Sequence, residues 1–206
     1  LSDPTNAILG DATGVATLID TDLVVDSADD EVDANPGDGI ALSASGKKTL
    51  RAAIQESNAT GSLIETIFIA SGTFTLSRTG TGEDAASTGD LDVTNAVSIV
   101  GAGTATTILN GNQIDRVFDV KSGSGLTLSN LTITNGAISG EGGDGAGIRV
   151  SGAALTLSQV VMSNNVTPKQ GGAIHALSNS VVTIADSTFS DNQGTNEAGG
   201  AIAVFT

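Results

Sequence analysis

Several residue types that commonly build active sites are missing or rare in this sequence. Its 206 residues include no cysteine, no tryptophan, no tyrosine and a single histidine. Without cysteine the chain can form neither a disulfide nor a thiolate metal site. With one histidine it cannot supply a histidine pair to a metal ion or a catalytic dyad. No nucleophile-elbow, phosphate-loop or dinucleotide-binding motif takes their place.

Basic residues are also scarce, with 8 Lys and Arg against 23 Asp and Glu and a net charge of −15. Nucleic acids and anionic lipid surfaces need clustered cations, so we expect no nucleic acid partner. No apolar run approaches the about 20 residues that span a bilayer, so we expect no membrane insertion. The sequence begins at Leu1 and stops within a repeat, and we interpret it as a piece of a longer protein.

Glycine is abundant, with 27 residues, and it marks an internal repeat. The apolar positions of residues 125–152, 153–179 and 180–206 match one another at intervals of 26 to 29 residues. The matching positions are Leu126, Leu155 and Val182; Leu128, Leu157 and Ile184; Ile133, Met162 and Phe189; and Ile148, Ile174 and Ile202.

Within each repeat the apolar residues alternate with polar ones, which is the period of a β-strand, and Gly, Asn, Ser and Asp separate the short runs. The repeat is too short for a βαβ crossover and lacks a helical face. The sequence therefore predicts an all-β fold, a right-handed parallel β-helix with turns of three strands and about 27 residues. We expect the apolar columns inside, Thr127, Thr156 and Thr183 outside, and corners at Gly171–Gly172 and Gly199–Gly200.

The N-terminal part predicts less regular turns at 65–76, 90–103 and 106–120. Residues 49–59 predict a short amphipathic helix with Thr49 as its N-cap, which would cover the first turn. We therefore divide the chain into terminal strands at 1–22, an acidic linker or loop at 23–48, and the β-helix with its capping helix at 49–206.

Three stretches resemble known families. GDGIALSASGKKTLRAAIQESNA (37–59) followed by ETIFIASGTFTL (65–76) is similar to the CSLREA domain, which precedes β-helical regions of large secreted bacterial proteins. Ala41 and Lys48 stand where that family usually has two cysteines, so a disulfide clasp is absent. FSDN (189–192) and GGAI (171–174 and 199–202) resemble the tetrapeptides of polymorphic outer-membrane-protein repeats, which occur in surface adhesins. Residues 1–22 resemble the last strands of a Calx-β domain. These resemblances imply an extracellular or cell-surface protein.

Candidate catalytic residues are few, and we expect no enzyme. Carbohydrate-active β-helices use carboxylates in a lateral groove, and the residues available here are Asp115, Arg116, Asp119, Arg149, His175 and Asp186. We expect Asp115 and Asp119 to be solvated and His175 to be an ordinary surface side chain. The absence of Trp and Tyr also removes the usual platforms for stacking a sugar.

The acidic stretch DTDLVVDSADDEVDANPGD (20–38) is either a solvated linker or a calcium loop. Calcium takes six to eight oxygen ligands, mainly from carboxylates and carbonyls. The residues that could supply carboxylates at close spacing are Asp26, Asp29, Asp30, Asp33 and Asp38. The spacing is not that of an EF-hand.

We therefore predict a non-catalytic structural or adhesive β-solenoid of a bacterial surface or matrix protein. A polysaccharide-active enzyme and a monomeric adhesin with a glycan or protein receptor remain alternatives. Residues 6–22 have a strand pattern without an evident partner, which suggests a head-to-tail homo-oligomer or filament joined through residues 1–22. Alternatively, both ends are cuts in a longer chain.

Overall fold

The computed structural model describes residues 22–60, 65–138, 144–195 and 199–205, and they form sixteen strands and one helix. The helix is α1 (Leu50–Ala59). The strands are β1 (Leu23–Val25), β2 (Glu65–Ile69), β3 (Gly72–Thr75), β4 (Leu91–Val93), β5 (Ala96–Gly101), β6 (Thr107–Asn110), β7 (Phe118–Val120), β8 (Gly125–Thr134), β9 (Ile148–Ser151), β10 (Ala154–Ser163), β11 (Val166–Thr167), β12 (Ile174–Leu177), β13 (Val181–Ala185), β14 (Thr188–Ser190), β15 (Gln193–Gly194) and β16 (Ile202–Val204). Residues 1–21, for which terminal strands were predicted, lie outside the described residues.

The strands coil into a parallel β-helix of about five turns, which confirms the predicted fold class. A nine-stranded sheet runs β1-β2-β5-β8-β10-β13, and β3, β6 and β14 extend it around the next face. A five-stranded sheet of β4, β7, β9, β12 and β16 forms the third face, and β11 pairs with β15. Every strand pair is parallel, because each strand stacks on its counterpart in the next turn.

The register matches the columns that were predicted from the repeat. Leu155 lies between Leu126 and Val182, and Ile174 lies between Ile148 and Ile202. The inner residues of the middle turns are fully buried, whereas the Thr127 and Thr183 side chains are exposed on the outer face. Burial of these aliphatic columns, at about 25 cal/mol per Å² of apolar surface, is the main stabilising contribution of the fold.

Corners recur at fixed positions and use a left-handed backbone. Asn130, Gln159 and Asp186 occupy one such corner with φ of 55°, 55° and 48°. Among common residues, Asn and Asp tolerate this conformation best, because their side chains can bond to the local backbone. At another corner Gly171 has φ of 64°, and an added Cβ would lie 2.2 Å from the Ile174 carbonyl oxygen, so glycine is required there as predicted.

The first turn is closed by α1, as predicted. Thr49 caps the helix, and its hydroxyl oxygen accepts a hydrogen bond from the Ala52 amide at 3.1 Å. The helix buries Leu50, Ala53 and Ile54 against the first turns. Among the described residues, no helix has the length and apolar character needed to cross a membrane.

A buried arginine fixes α1 to the β-helix. Arg51 is 1 % exposed, and each of its five N–H donors has an acceptor. Nε and Nη2 bind the Asp30 carboxylate, with Nε to Oδ1 at 2.5 Å, and the other bonds reach the carbonyls of Ala86, Gly89 and Asp90. Full pairing is what allows a guanidinium to be buried without a large desolvation penalty.

Residues 26–48 pack on α1 and form what we call the N-terminal clasp. The fully buried Glu56 carboxylate of α1 accepts hydrogen bonds from the Gly37 and Gly39 amides, both at 2.6 Å. Asp30 also accepts from the Ser77 and Arg78 amides of the first turn. Just before the clasp, β1 pairs with β2, so residues 23–25 belong to the nine-stranded sheet.

Candidate functional site: a charged cleft on the five-stranded sheet

Ionisable residues form a column on the outer face of the five-stranded sheet. Each of the strands β4, β7, β9 and β12 carries an ionisable residue at its second position, and the register places each beside the next: Asp92, Asp119, Arg149 and His175. Because strands alternate inward and outward, the residues on either side of each, such as Phe118 and Val120, point into the core. The column therefore lines up four ionisable side chains at the spacing of successive turns.

Asp119 and Arg149 of this column line one wall of a charged cleft of about 290 Å³. The segment before β4 and the turn before β7 supply the other walls. The lining residues are Thr81, Gly82, Glu83, Asp84, Asp90, Asp115, Arg116, Asp119, Lys121, Ile138 and Arg149. The carboxylate of Glu83 is held by the amides of Ala85, Ser87 and Thr88 and fixes the segment that carries Thr81 to Asp84.

Asp119 is at the centre of the cleft and binds three cations. Its Oδ2 lies 3.1 Å from Arg116 Nη1 and 2.7 Å from Lys121 Nζ, and the Arg149 guanidinium binds both carboxylate oxygens. Arg116 also reaches Asp90 at 3.3 Å, and Lys121 reaches Asp92 at 2.9 Å. Asp119 is 1 % exposed, so this network compensates a charge that could not be buried alone.

The network shifts the pKa values of Asp90 and Asp119 in opposite directions. Burial, and then the charges of Asp92 and Asp115, raise the pKa of Asp90 from 3.8 to about 8. Burial acts on Asp119 in the same direction, but the hydrogen bonds from Arg149 and Lys121 outweigh it, and its pKa falls below the usual value. At neutral pH Asp90 is thus mainly protonated and Asp119 is ionised.

Within the described residues, one group of three carboxylates is close enough to hold a metal ion. It consists of Asp90, Asp92 and Asp119, with one oxygen from each within 4.8 Å of the others. The Lys121 ammonium contacts Asp92 and Asp119 and has a third partner in Asp84 at 2.7 Å. Burial lowers the pKa of Lys121, but these hydrogen bonds raise it overall, so the ammonium stays charged. A protein cation therefore already neutralises these carboxylates.

The structure brings together four of the residues that the sequence suggested as catalytic candidates, namely Asp115, Arg116, Asp119 and Arg149. The expectation that Asp115 and Asp119 are solvated is wrong, because both are at least 97 % buried. Asp186 does not join them, since it occupies an exposed corner between β13 and β14.

The expectation that His175 is a surface side chain is also wrong. His175 is 3 % exposed, and its ring lies 5.3 Å from the Phe205 ring. Burial lowers its pKa, and the charge of Asp144 opposes this effect. The residue points outward from β12 as predicted, but Phe205 and the Asp144 and Gln170 corners cover that face.

The predicted calcium ligands mostly have other partners. Asp29 binds Lys47 at 3.0 Å, Asp30 binds Arg51, and Asp38 accepts from the Ile40 amide. Asp33 accepts from the Asn35 amide through Oδ1, while its buried Oδ2 has no hydrogen-bond partner among the described residues. Asp26 lies at the start of the clasp, where its amide bonds to the Lys48 carbonyl.

Sequence reasoning missed Asp90, Asp92 and Lys121 as members of the site. A signal was present for two positions of the column, because LDV (91–93) and FDV (118–120) place an aspartate between two core residues at an interval of 27 residues. The involvement of Asp90 and Lys121 depends on how the connecting segments fold over the sheet, and strand periodicity does not report this.

The corner after β10 is built around a buried asparagine. Asn165 Oδ1 accepts from the Gly136 amide at 2.9 Å, and its Nδ2 donates to Asn192 Oδ1 at 2.9 Å. Asn192 in turn donates to the Met162 carbonyl at 2.8 Å. These bonds join three successive turns, which explains why an asparagine closes the tetrapeptides MSNN (162–165) and FSDN (189–192).

Comparison with known families bears on this corner. Residues 159–177 match the Chlamydia polymorphic membrane protein repeat, a stretch that contains Asn165 and the GGAI sequence at 171–174. The match covers 19 of the 206 residues and therefore identifies a repeat type within the chain. The resemblances to the CSLREA and Calx-β domains stay predictions. No curated protein and no solved structure matches the chain.

Proposed function

We propose that this chain is a non-catalytic structural and adhesive segment of an extracellular or cell-surface β-helix protein. The repeated turns provide a rigid rod with regular outer faces, and partners would bind to those faces. The match to a polymorphic membrane protein repeat supports a surface location.

The non-catalytic part of the proposal is supported by the ion pairs of Asp119. A catalytic carboxylate needs a free lone pair facing the substrate, either to take a proton or to attack carbon. Asp119 instead accepts hydrogen bonds from Arg116, Lys121 and Arg149, and its side chain is only 1 % exposed. Arranged in this way, the charges of the cleft hold successive turns together.

A second candidate function, the cleavage of polysaccharides, is favoured by one observation in the same cleft. Asp90, with a pKa of about 8, and the ionised Asp119 are two carboxyl groups whose environments push their pKa values apart, as in acid and base pairs of glycosidases. Incubation of the purified chain with neutral and acidic polysaccharides tests it. New reducing ends or unsaturated sugars that disappear in Asp90→Asn would establish catalysis and overturn our proposal.

Surface exposure tests the remaining part of the proposal. Antibodies against the purified chain are applied to intact cells that produce the whole protein, and we expect labelling that external protease removes. Labelling that requires permeabilised cells would contradict the proposal. Adhesion is tested separately by the binding of the purified chain to immobilised glycans and proteins.

A further inference from the structure

The charged cleft contains a buried arginine that is only partly paired. Arg116 is 7 % exposed, and only its Nη1 donates to the described residues, to Asp90 at 3.3 Å and to Asp119 at 3.1 Å. Its Nε is buried without a hydrogen-bond partner, and no described residue accepts from its Nη2. The Nε–Nη2 edge of this guanidinium therefore has no acceptor in the described part of the chain.

Arg51 shows how the same fold treats a guanidinium with a purely structural role. It is 1 % exposed, and each of its five N–H donors has an acceptor. Unpaired donors on a buried charged group are destabilising, so buried polar groups are normally satisfied. The unpaired edge of Arg116 thus requires an acceptor from elsewhere, and Arg116 lines the cleft of about 290 Å³, where a ligand or water can supply one.

The same cleft offers a free acceptor. Asp84 lines it with a side chain that is 79 % exposed, and only Oδ1 of its carboxylate has a described partner, the Lys121 ammonium. Thr81 lines it as well and carries a hydroxyl group, which can donate or accept. A ligand with several hydroxyl groups can use both kinds of partner, because each hydroxyl accepts from a guanidinium and donates to a carboxylate. A carbonyl or a carboxylate would use only the donors.

The charges of the cleft disfavour an anionic ligand. Besides Asp90, four carboxylates line it, against the three cations Arg116, Lys121 and Arg149. The neighbouring carboxylates add to burial in raising the pKa of Asp90, which indicates a negative local potential. The whole chain also carries a net charge of −15, so a further negative charge would be repelled. A neutral ligand meets no such barrier.

We propose that the cleft binds one residue of a neutral glycan, with adjacent sugar hydroxyl groups on the Nε–Nη2 edge of Arg116. The inference rests on the proposed adhesive function and names its class of receptor, a neutral sugar chain. The volume is at the lower limit of about 300 to 1,000 Å³ for small-molecule sites, which suits a single sugar residue. No aromatic ring is among the described lining residues, so binding depends on hydrogen bonds and single-site affinity is weak.

Saturation-transfer NMR, which detects weak binding, tests the proposal on the full chain, 1–206. The probes are neutral hexasaccharides of glucose, mannose and N-acetylglucosamine, and oligogalacturonate is the acidic comparison. We expect transfer to at least one neutral hexasaccharide and none to oligogalacturonate. Binding of the acidic sugar that equals or exceeds that of the neutral ones would overturn the proposal, as would the absence of binding to every neutral probe.

Two variants test whether the glycan occupies this cleft. Arg116→Lys keeps the positive charge but lacks the Nε–Nη2 edge, and it should weaken binding about tenfold or more, the effect of losing a hydrogen bond to a charged group. Thr81→Met places a long apolar side chain in the cleft without changing an ion pair, and it should abolish binding. Thr127→Met, the same substitution at an exposed position of the nine-stranded sheet, is the matched control and should bind as the wild type does.

The site and the adhesive function can fail separately. Neutral glycan binding that survives both Arg116→Lys and Thr81→Met would overturn the site but leave adhesion through another face. Circular dichroism checks that each variant is folded, and Thr81 is exposed, so Thr81→Met remains informative if Arg116→Lys is unstable. Surface labelling of intact cells is scored independently of all glycan binding.

Discussion

Replacing Asp90 with asparagine should remove a pH-dependent cost from the folded protein. In the folded state burial and the neighbouring carboxylates hold the pKa of Asp90 at about 8, against 3.8 in an unperturbed chain. Between these values the folded protein binds a proton that the unfolded chain has released, so the stability falls as the pH rises. The favourable contribution of the protonated carboxyl group is complete below about pH 4 and is lost progressively up to about pH 8.

The size of the effect follows from the width of that window. Each pH unit within it costs about 1.4 kcal/mol, so the wild-type protein should lose about 4 kcal/mol more than Asp90→Asn between about pH 5 and about pH 8. Asparagine has the shape of the protonated carboxyl group and keeps an oxygen for Arg116 Nη1. The loss should therefore disappear without a large change in packing.

Urea unfolding of both proteins across that pH range measures the difference directly. The titration of carboxylates far from Asp90 cancels in the comparison because both proteins contain them, whereas the coupling of Asp90 to Asp92 and Asp115 is part of the measured difference. Asp84→Asn is the control, since Asp84 lines the same cleft with a side chain that is 79 % exposed. Parallel stability profiles for the wild type and Asp90→Asn would refute the argument that burial and like charges keep Asp90 protonated.

Three further predictions concern other parts of the structure. Arg51→Ala leaves Asp30 buried without its partner and should cost about 3 to 5 kcal/mol of stability, measured by thermal unfolding. Lys47→Ala removes only exposed ion pairs and should lower the stability far less in the same assay. Gly171→Ala should destabilise the protein clearly more than Gly123→Ala in urea unfolding. Both glycines have a positive φ, but only the Cβ added at Gly171 would clash with the backbone, 2.2 Å from the Ile174 carbonyl oxygen. Equal losses of stability would contradict this. If the acidic loop binds calcium, the ion should raise the melting temperature, because it binds only the folded state. Asp33→Asn should abolish this rise, since the buried Oδ2 of Asp33 is the oxygen without a hydrogen-bond partner. The same melting temperature in calcium and in chelator would argue against the site.

The fold could be predicted from the sequence because each turn repeats the same pattern of apolar residues. The alternation around Leu155 recurs in three segments, so an error in one segment would have been corrected by the others. The cap was predictable for a similar reason, since Thr49 and the apolar face of residues 50–57 are local signals. Both features depend on residues that are near one another in sequence or repeat at a fixed interval.

The cleft was harder to predict because it depends on contacts between distant segments. Whether an outward residue such as His175 or Asp119 is buried is decided by the corners that fold over the outer face, and these corners vary in length between turns. Residues 23–48 were predicted to be an acidic linker or loop for the same reason. Their charges are paired with Arg51 and Lys47, which precede or begin the helix in sequence but meet the aspartates only in the folded clasp.

The anchoring of α1 by Arg51 makes the first turn resistant to opening under load. Each turn bonds only to the turns beside it, so rupture travels from one turn to the next. The first turn is covered by α1, and its opening would expose the buried Arg51 and break the five hydrogen bonds that the guanidinium donates. Under tension along the axis, each turn of about 27 residues releases about 90 Å of chain as it opens. The β-helix is thus an extensible tether that lengthens in steps.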